Sequence, residues 1–137
     1  MCFSATASFV TAAVTGAAGA AALSRAEEKR ELPLATVPIF FAIQQAIEGL
    51  LWLMLPVAPA SAEASCLTDG FLGFALVIWP AYAPLVAWLI EPDARRKRLI
   101  LYFVVAGFGV SLYMLWTLWI GDHGASIADQ RLDGVAS

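Results

Sequence analysis

The clearest pattern along the chain is a series of four long apolar runs separated by short polar segments. Each run approaches the roughly 20 residues that an α-helix needs to cross a bilayer. Lipid cannot satisfy open backbone groups, so such runs are expected to be helices. The pattern predicts an all-α integral membrane bundle of four transmembrane helices over residues 1–121, with a flexible external tail at 122–137. The four runs span about residues 5–23, 34–55, 71–90 and 99–120.

The basic residues predict an orientation for this bundle. Arg25, Lys29 and Arg30 lie between the first and second runs, and the RRKR segment at 95–98 lies between the third and fourth. These loops hold seven of the eight basic residues, the exception being Arg131. The positive-inside rule places both loops in the cytoplasm and therefore predicts that both termini lie outside.

Composition and charge agree with a membrane protein and exclude other classes. The chain has 137 residues, of which 61% are hydrophobic and 14% charged, against about 45–50% and 25% in soluble domains. A net charge of −3 offers no basic field for nucleic acid. We expect a bacterial cytoplasmic (inner) membrane location. The expected partners are membrane lipids and other membrane subunits or a second copy, and no motif specifies a cofactor.

Three polar residues lie well inside the second run. Gln44 and Glu48 are four residues apart and share a helix face, which Gln45 flanks. An intramembrane carboxyl group is costly and is a functional-site hypothesis by default. Counting by depth adds Thr11, Ser111 and Tyr113 from other helices. This polar layer is either a pocket for a small polar ligand, a proton or a cation, or a set of interhelical hydrogen bonds that fixes packing.

The first run is rich in small residues. Ala13, Gly16, Ala17 and Ala20 form a candidate helix-packing surface, because small side chains let helix backbones approach closely in a membrane. This surface either binds a partner chain or a flat ligand, or packs at the centre of the chain's own bundle.

The cysteines and the histidine support structural rather than catalytic chemistry. Cys2 and Cys66 fall on the same external side, so a disulfide between them is a candidate. His123 is the only histidine. One histidine supplies too few ligands for a metal site, and it lies outside the membrane region, so it could not act as a base there. We therefore predict that the chain is not an enzyme and has no metal or catalytic residues.

Three segments resemble an uncharacterised family of bacterial integral membrane proteins. They are MCFSATASF, RELPLATVPIFFAIQQAIEGLLW and WPAYAPLVAWLIEPDARRKRL, and the resemblance covers roughly residues 1–115. The family has longer members with further helices. The resemblance implies that this chain is a short branch, in which any site built with those helices is absent or is completed by another chain. It implies no reaction, cofactor or substrate.

Two functions remain open at this point. The first is a non-catalytic accessory subunit that packs within or against a larger bacterial membrane complex. The alternative is a small channel, carrier or ligand-binding membrane protein that uses the polar layer around Glu48.

The predicted orientation can be tested at Cys66. We expect a membrane-impermeant thiol reagent to label Cys66 in intact cells after reduction, because the loop that carries it should face outward. Cys66→Ser is the control that separates this signal from labelling of Cys2. Failure to label Cys66 in intact cells, with labelling after lysis, would contradict the orientation with both termini outside.

Overall fold

The computed structural model describes the backbone of residues 4–135 and the side chains of residues 4–120. All regular secondary structure in this part of the chain is helical, which confirms the all-α prediction. Four helical stretches are long and apolar enough to cross a membrane, which indicates an integral membrane protein: Ala5–Arg25, Leu32–Met54, Ala62–Ile90 and Ala94–Ile120. The elements are α1 (Ala5–Arg25), α2 (Leu32–Met54), α3 (Ala62–Leu72), a π-helical segment (Gly73–Ile78), α4 (Trp79–Ile90) and α5 (Ala94–Val135).

The helices agree with the predicted runs to within two residues except at the start of the third stretch and at both ends of the fourth, which begins at Ala94 rather than near residue 99. The third stretch begins at Ala62 rather than near residue 71, because the side chain of Ser61 caps it by accepting a hydrogen bond from the Ala64 N–H at 3.1 Å. The fourth continues beyond Ile120, since the backbone of α5 is helical to Val135. That extension covers most of the segment expected to be a tail, whose flexibility and external placement stay predictions.

Prolines shape the third membrane stretch. Pro80 has no N–H to donate and stands in the first turn of α4, directly after the π-helical segment. There the Trp79 N–H donates to the Phe74 carbonyl, five residues back, as in a π-helix. The Ser111 hydroxyl of α5 donates to the Val77 carbonyl at 2.7 Å. A side chain of the neighbouring helix thus donates a hydrogen bond to the irregular backbone. Within a membrane, such backbone needs hydrogen-bond partners from neighbouring helices, because lipid supplies none.

The elements pack mainly on their neighbours in the sequence. α1 packs on α2, α2 packs on α3 and α4, and α5 packs on the π-helical segment and α4. The four stretches therefore form a row with α1 and α5 at its two edges, and the stretch that contains α2 is the most buried of the four.

Glycines set the closest approach of α1 to α2. A Cβ at Gly19 would lie 2.5 Å from Cδ1 of Ile39, and one at Gly49 would lie 2.8 Å from the ring of Phe9. Each glycine leaves room for a large side chain of the opposite helix, so the two helices interlock at both ends of their contact.

α5 approaches α4 even more closely, at Gly107. A Cβ there would lie 2.0 Å from the Pro80 carbonyl oxygen and 3.0 Å from Cγ of Pro84. Pro84 has no N–H and cannot donate the usual helical hydrogen bond to that carbonyl. The carbonyl group instead lies directly against the Gly107 backbone, where only a hydrogen atom fits.

Replacing Gly107 with alanine should destabilise the fold. The new methyl group would meet a backbone oxygen that no side-chain rotation can move, so we expect a loss of about 1–3 kcal/mol, as in overpacked cores. Thermal unfolding of the purified protein in mild detergent measures it. Gly109→Ala is the matched control, because a Cβ there meets nothing within 4 Å. An unchanged melting temperature for Gly107→Ala would contradict the contact.

Candidate functional site

The interior of the bundle is unusually polar. Among the described side chains, as many polar as hydrophobic residues are buried, and three of the polar ones lie on α2. Gln44, Gln45 and Glu48 are exposed by only 8%, 6% and 8%. Their spacing places all three on the side of α2 that faces the neighbouring helices. The most buried helix thus carries these polar groups.

One of these residues ties α2 to α4. The Trp79 indole N–H donates to Oε1 of Gln44 at 2.5 Å. Towards the start of α2, the Tyr82 hydroxyl donates to the Pro33 carbonyl at 2.9 Å and is also hydrogen-bonded to the Thr36 hydroxyl. These bonds join α2 to α4 and so have a structural role. Each side-chain hydrogen bond between membrane helices contributes about 0.6 kcal/mol on average.

Gln45 and Glu48 form a second pair, and Glu48 also lines a cavity. The Gln45 amide donates from Nε2 to Oε2 of Glu48 at 2.9 Å, which orients the carboxyl group. The cavity has a volume of about 290 Å³ and lies between α2 and α3. Its lining residues are Glu48, Leu51, Trp52, Leu55 and Phe71. Among the described lining residues, a single carboxyl group is therefore placed beside apolar and aromatic side chains.

The other members of the predicted polar layer differ in burial and in hydrogen bonding. Ser111 is buried but donates to Val77, and the Thr11 hydroxyl donates to the Ala7 carbonyl of its own helix at 2.8 Å. Tyr113 is 63% exposed. That these three residues form one layer with Glu48 stays a prediction, because depth fixes only the height of a residue and not the side of the helix on which it lies.

The small residues of α1 divide between two sides of the helix. Gly16 is half-buried and faces α2, where a Cβ would lie 3.6 Å from that of Ala42. Ala13, Ala17 and Ala20 are exposed. Of the two roles left open for this surface, packing within the bundle applies to Gly16 but not to these three alanines, because Ser8 and Gly19 on another side of α1 are the buried positions. Contact with a partner stays a prediction.

Three cavity residues were missed by the sequence reasoning: Leu51, Leu55 and Phe71. Leu51 and Leu55 follow Glu48 at three and seven positions, and Trp52 follows at four, so helical periodicity could have placed them on the same face. Phe71 carried no comparable signal, since its place in the cavity depends on how α3 packs against α2.

The cysteine pair is only partly described. Cys66 is exposed, whereas Cys2 lies outside the described residues, so the disulfide stays a prediction. His123 also lies outside the described side chains. Within residues 4–120, no group of three or more His, Cys, Asp or Glu side chains could hold a metal ion.

Comparison with known proteins adds a family but no activity. A family model described as a family of unknown function (DUF6629) matches residues 1–132. The match extends beyond the roughly 115 residues of the resemblance seen in the sequence and includes most of the segment after Ile120. No curated protein and no solved structure matches the chain.

Proposed function

The chain belongs to the family of unknown function DUF6629, and we propose that it is a small, non-catalytic accessory subunit of a larger membrane protein complex. It would reside in a bacterial inner membrane, in contact with lipids and with other membrane subunits or a second copy, and would bind no nucleic acid.

The open edges of the helix row carry this proposal. On α1, Ala13, Ala17 and Ala20 recur at intervals of four and three residues and are exposed together. In a membrane, a line of small residues favours the close approach of another helix. Since the chain's own α2 uses a different side of α1, a helix of another subunit would fit on this exposed line.

The other edge also presents a large surface. On α5, bulky side chains are exposed around much of the helix, among them Tyr102, Phe103, Tyr113, Trp116 and Trp119. Aromatic residues are enriched in the buried centres of protein interfaces. A subunit with two uncovered edges can join neighbours on both sides, which suits a small component of a complex.

The accessory role is tested by purification in gentle detergent, with mass spectrometry and an absorption spectrum of the eluate. We expect larger membrane partners at fixed stoichiometry. Ala17→Leu should reduce their recovery by about tenfold or more, because the larger side chain blocks close helix approach. Ala18→Leu is the matched control, since Ala18 is also exposed but lies off the line, and Glu48→Gln should leave the association intact.

Recovery of the wild-type protein alone, as a colourless homo-oligomer, would contradict the accessory role. Equal recovery of partners with Ala17→Leu would contradict the use of the α1 surface.

The cavity beside Glu48 favours a second candidate function, that of a small channel, carrier or ligand-binding membrane protein. A buried carboxyl group beside a cavity is the kind of site from which ion and proton pathways in membrane proteins are built. The Gln45 amide holds the carboxyl group in place, as a binding site requires.

A carrier role predicts that Glu48→Gln abolishes flux. Proteoliposomes with an internal pH-sensitive dye measure proton flux after a potassium gradient is imposed. The substitution keeps the size of the side chain and removes its ionisable group, so the flux should disappear. Glu63→Gln makes the same chemical change at an exposed position of α3 and should retain the flux. Normal flux through Glu48→Gln would exclude the carrier role.

A further inference from the structure

We infer that the cavity between α2 and α3 binds a monovalent organic cation with an apolar or aromatic body, held by the Glu48 carboxylate. This inference deepens the second candidate function by naming the ligand class. The inference requires binding but no transport, so the absence of proton flux in proteoliposomes would not contradict it.

The shape of the cavity separates a buried floor from an open rim. Glu48 and Leu51 are buried, whereas Trp52 and Leu55 are 41% and 46% exposed. Leu55 follows Glu48 by seven positions, a distance of about 10 Å along the helix. A molecule that enters at the Leu55 end would therefore reach the carboxyl group only at the inner end of the cavity.

The charge of the lining selects the sign of the ligand. Among the residues of 4–120 that line this cavity, Glu48 is the only ionisable one. Neither α2 nor α3 contains Lys, Arg or His, so no cationic side chain of these helices favours an anion. A carboxylate in such surroundings interacts strongly with a positive charge, because the effective dielectric constant is far below that of water.

The remaining lining selects the body of the ligand. Trp52 and Phe71 supply two aromatic rings, and cations are attracted to the faces of such rings, most strongly to that of Trp. Leu51 and Leu55 supply apolar surface. Small hydrated inorganic ions gain little from these groups, whereas an alkylammonium or arylammonium ion contacts the rings and the carboxylate together.

The test uses benzyltrimethylammonium, which carries one quaternary charge and one ring, in titration calorimetry of the purified protein in detergent. We expect saturable binding to the wild type and a dissociation constant at least about tenfold weaker for Glu48→Gln. Glu63→Gln, the same change at an exposed position outside the cavity lining, should bind within about twofold of the wild type. Thermal melting of each variant checks that it is folded.

A second variant and a second ligand keep the test decisive. Trp52→Leu replaces a half-exposed ring and should weaken binding by about threefold or more through loss of the cation–aromatic contact. Benzyl alcohol carries the ring without the charge and should bind at least about tenfold more weakly than the cation. Equal affinities of the two ligands, or equal affinities of the wild type and Glu48→Gln, would overturn the inference.

Discussion

The contact between the Pro80 carbonyl and Gly107 fixes where α5 lies against the rest of the protein. Two prolines four residues apart disturb the hydrogen bonding of the third membrane stretch, and a membrane interior has no water to compensate. α5 compensates for the lost hydrogen bonds in two ways. Its backbone lies close to the Pro80 carbonyl at Gly107, and its Ser111 hydroxyl donates a hydrogen bond to the Val77 carbonyl. The π-helical segment and α5 therefore depend on each other. Their pairing also determines which side of α5 is left for other contacts.

Helix α2 organises the other half of the structure. It lies between α1 and the α3–α4 stretch, and three of its buried side chains, Gln44, Gln45 and Glu48, are polar. Gln44 serves packing through Trp79, whereas Gln45 donates a hydrogen bond to Glu48, which lines a cavity. Neighbouring polar residues on one helix thus divide into one that joins two helices and two that place a carboxyl group beside a cavity.

The sequence predicted the four membrane stretches and the polar character of α2, because helix length and hydropathy are local properties of a chain. It could not predict which side of each helix meets a neighbour. Thr11, Ser111 and Tyr113 were placed by depth alone, and the sequence did not indicate that Tyr113 is exposed or that the Ser111 hydroxyl donates to the Val77 carbonyl. The extension of α3 to Ala62 was also missed, although the cap at Ser61 could have indicated it.

The row arrangement has a consequence for the order in which the protein is assembled. Each membrane stretch packs mainly on the one that precedes it in the chain, so a helix that leaves the ribosome finds its docking surface already in the bilayer. α1 and α2 can interlock through Gly19 and Gly49 before α5 has been synthesised. Folding can thus proceed stepwise during translation, without a long search among distant segments.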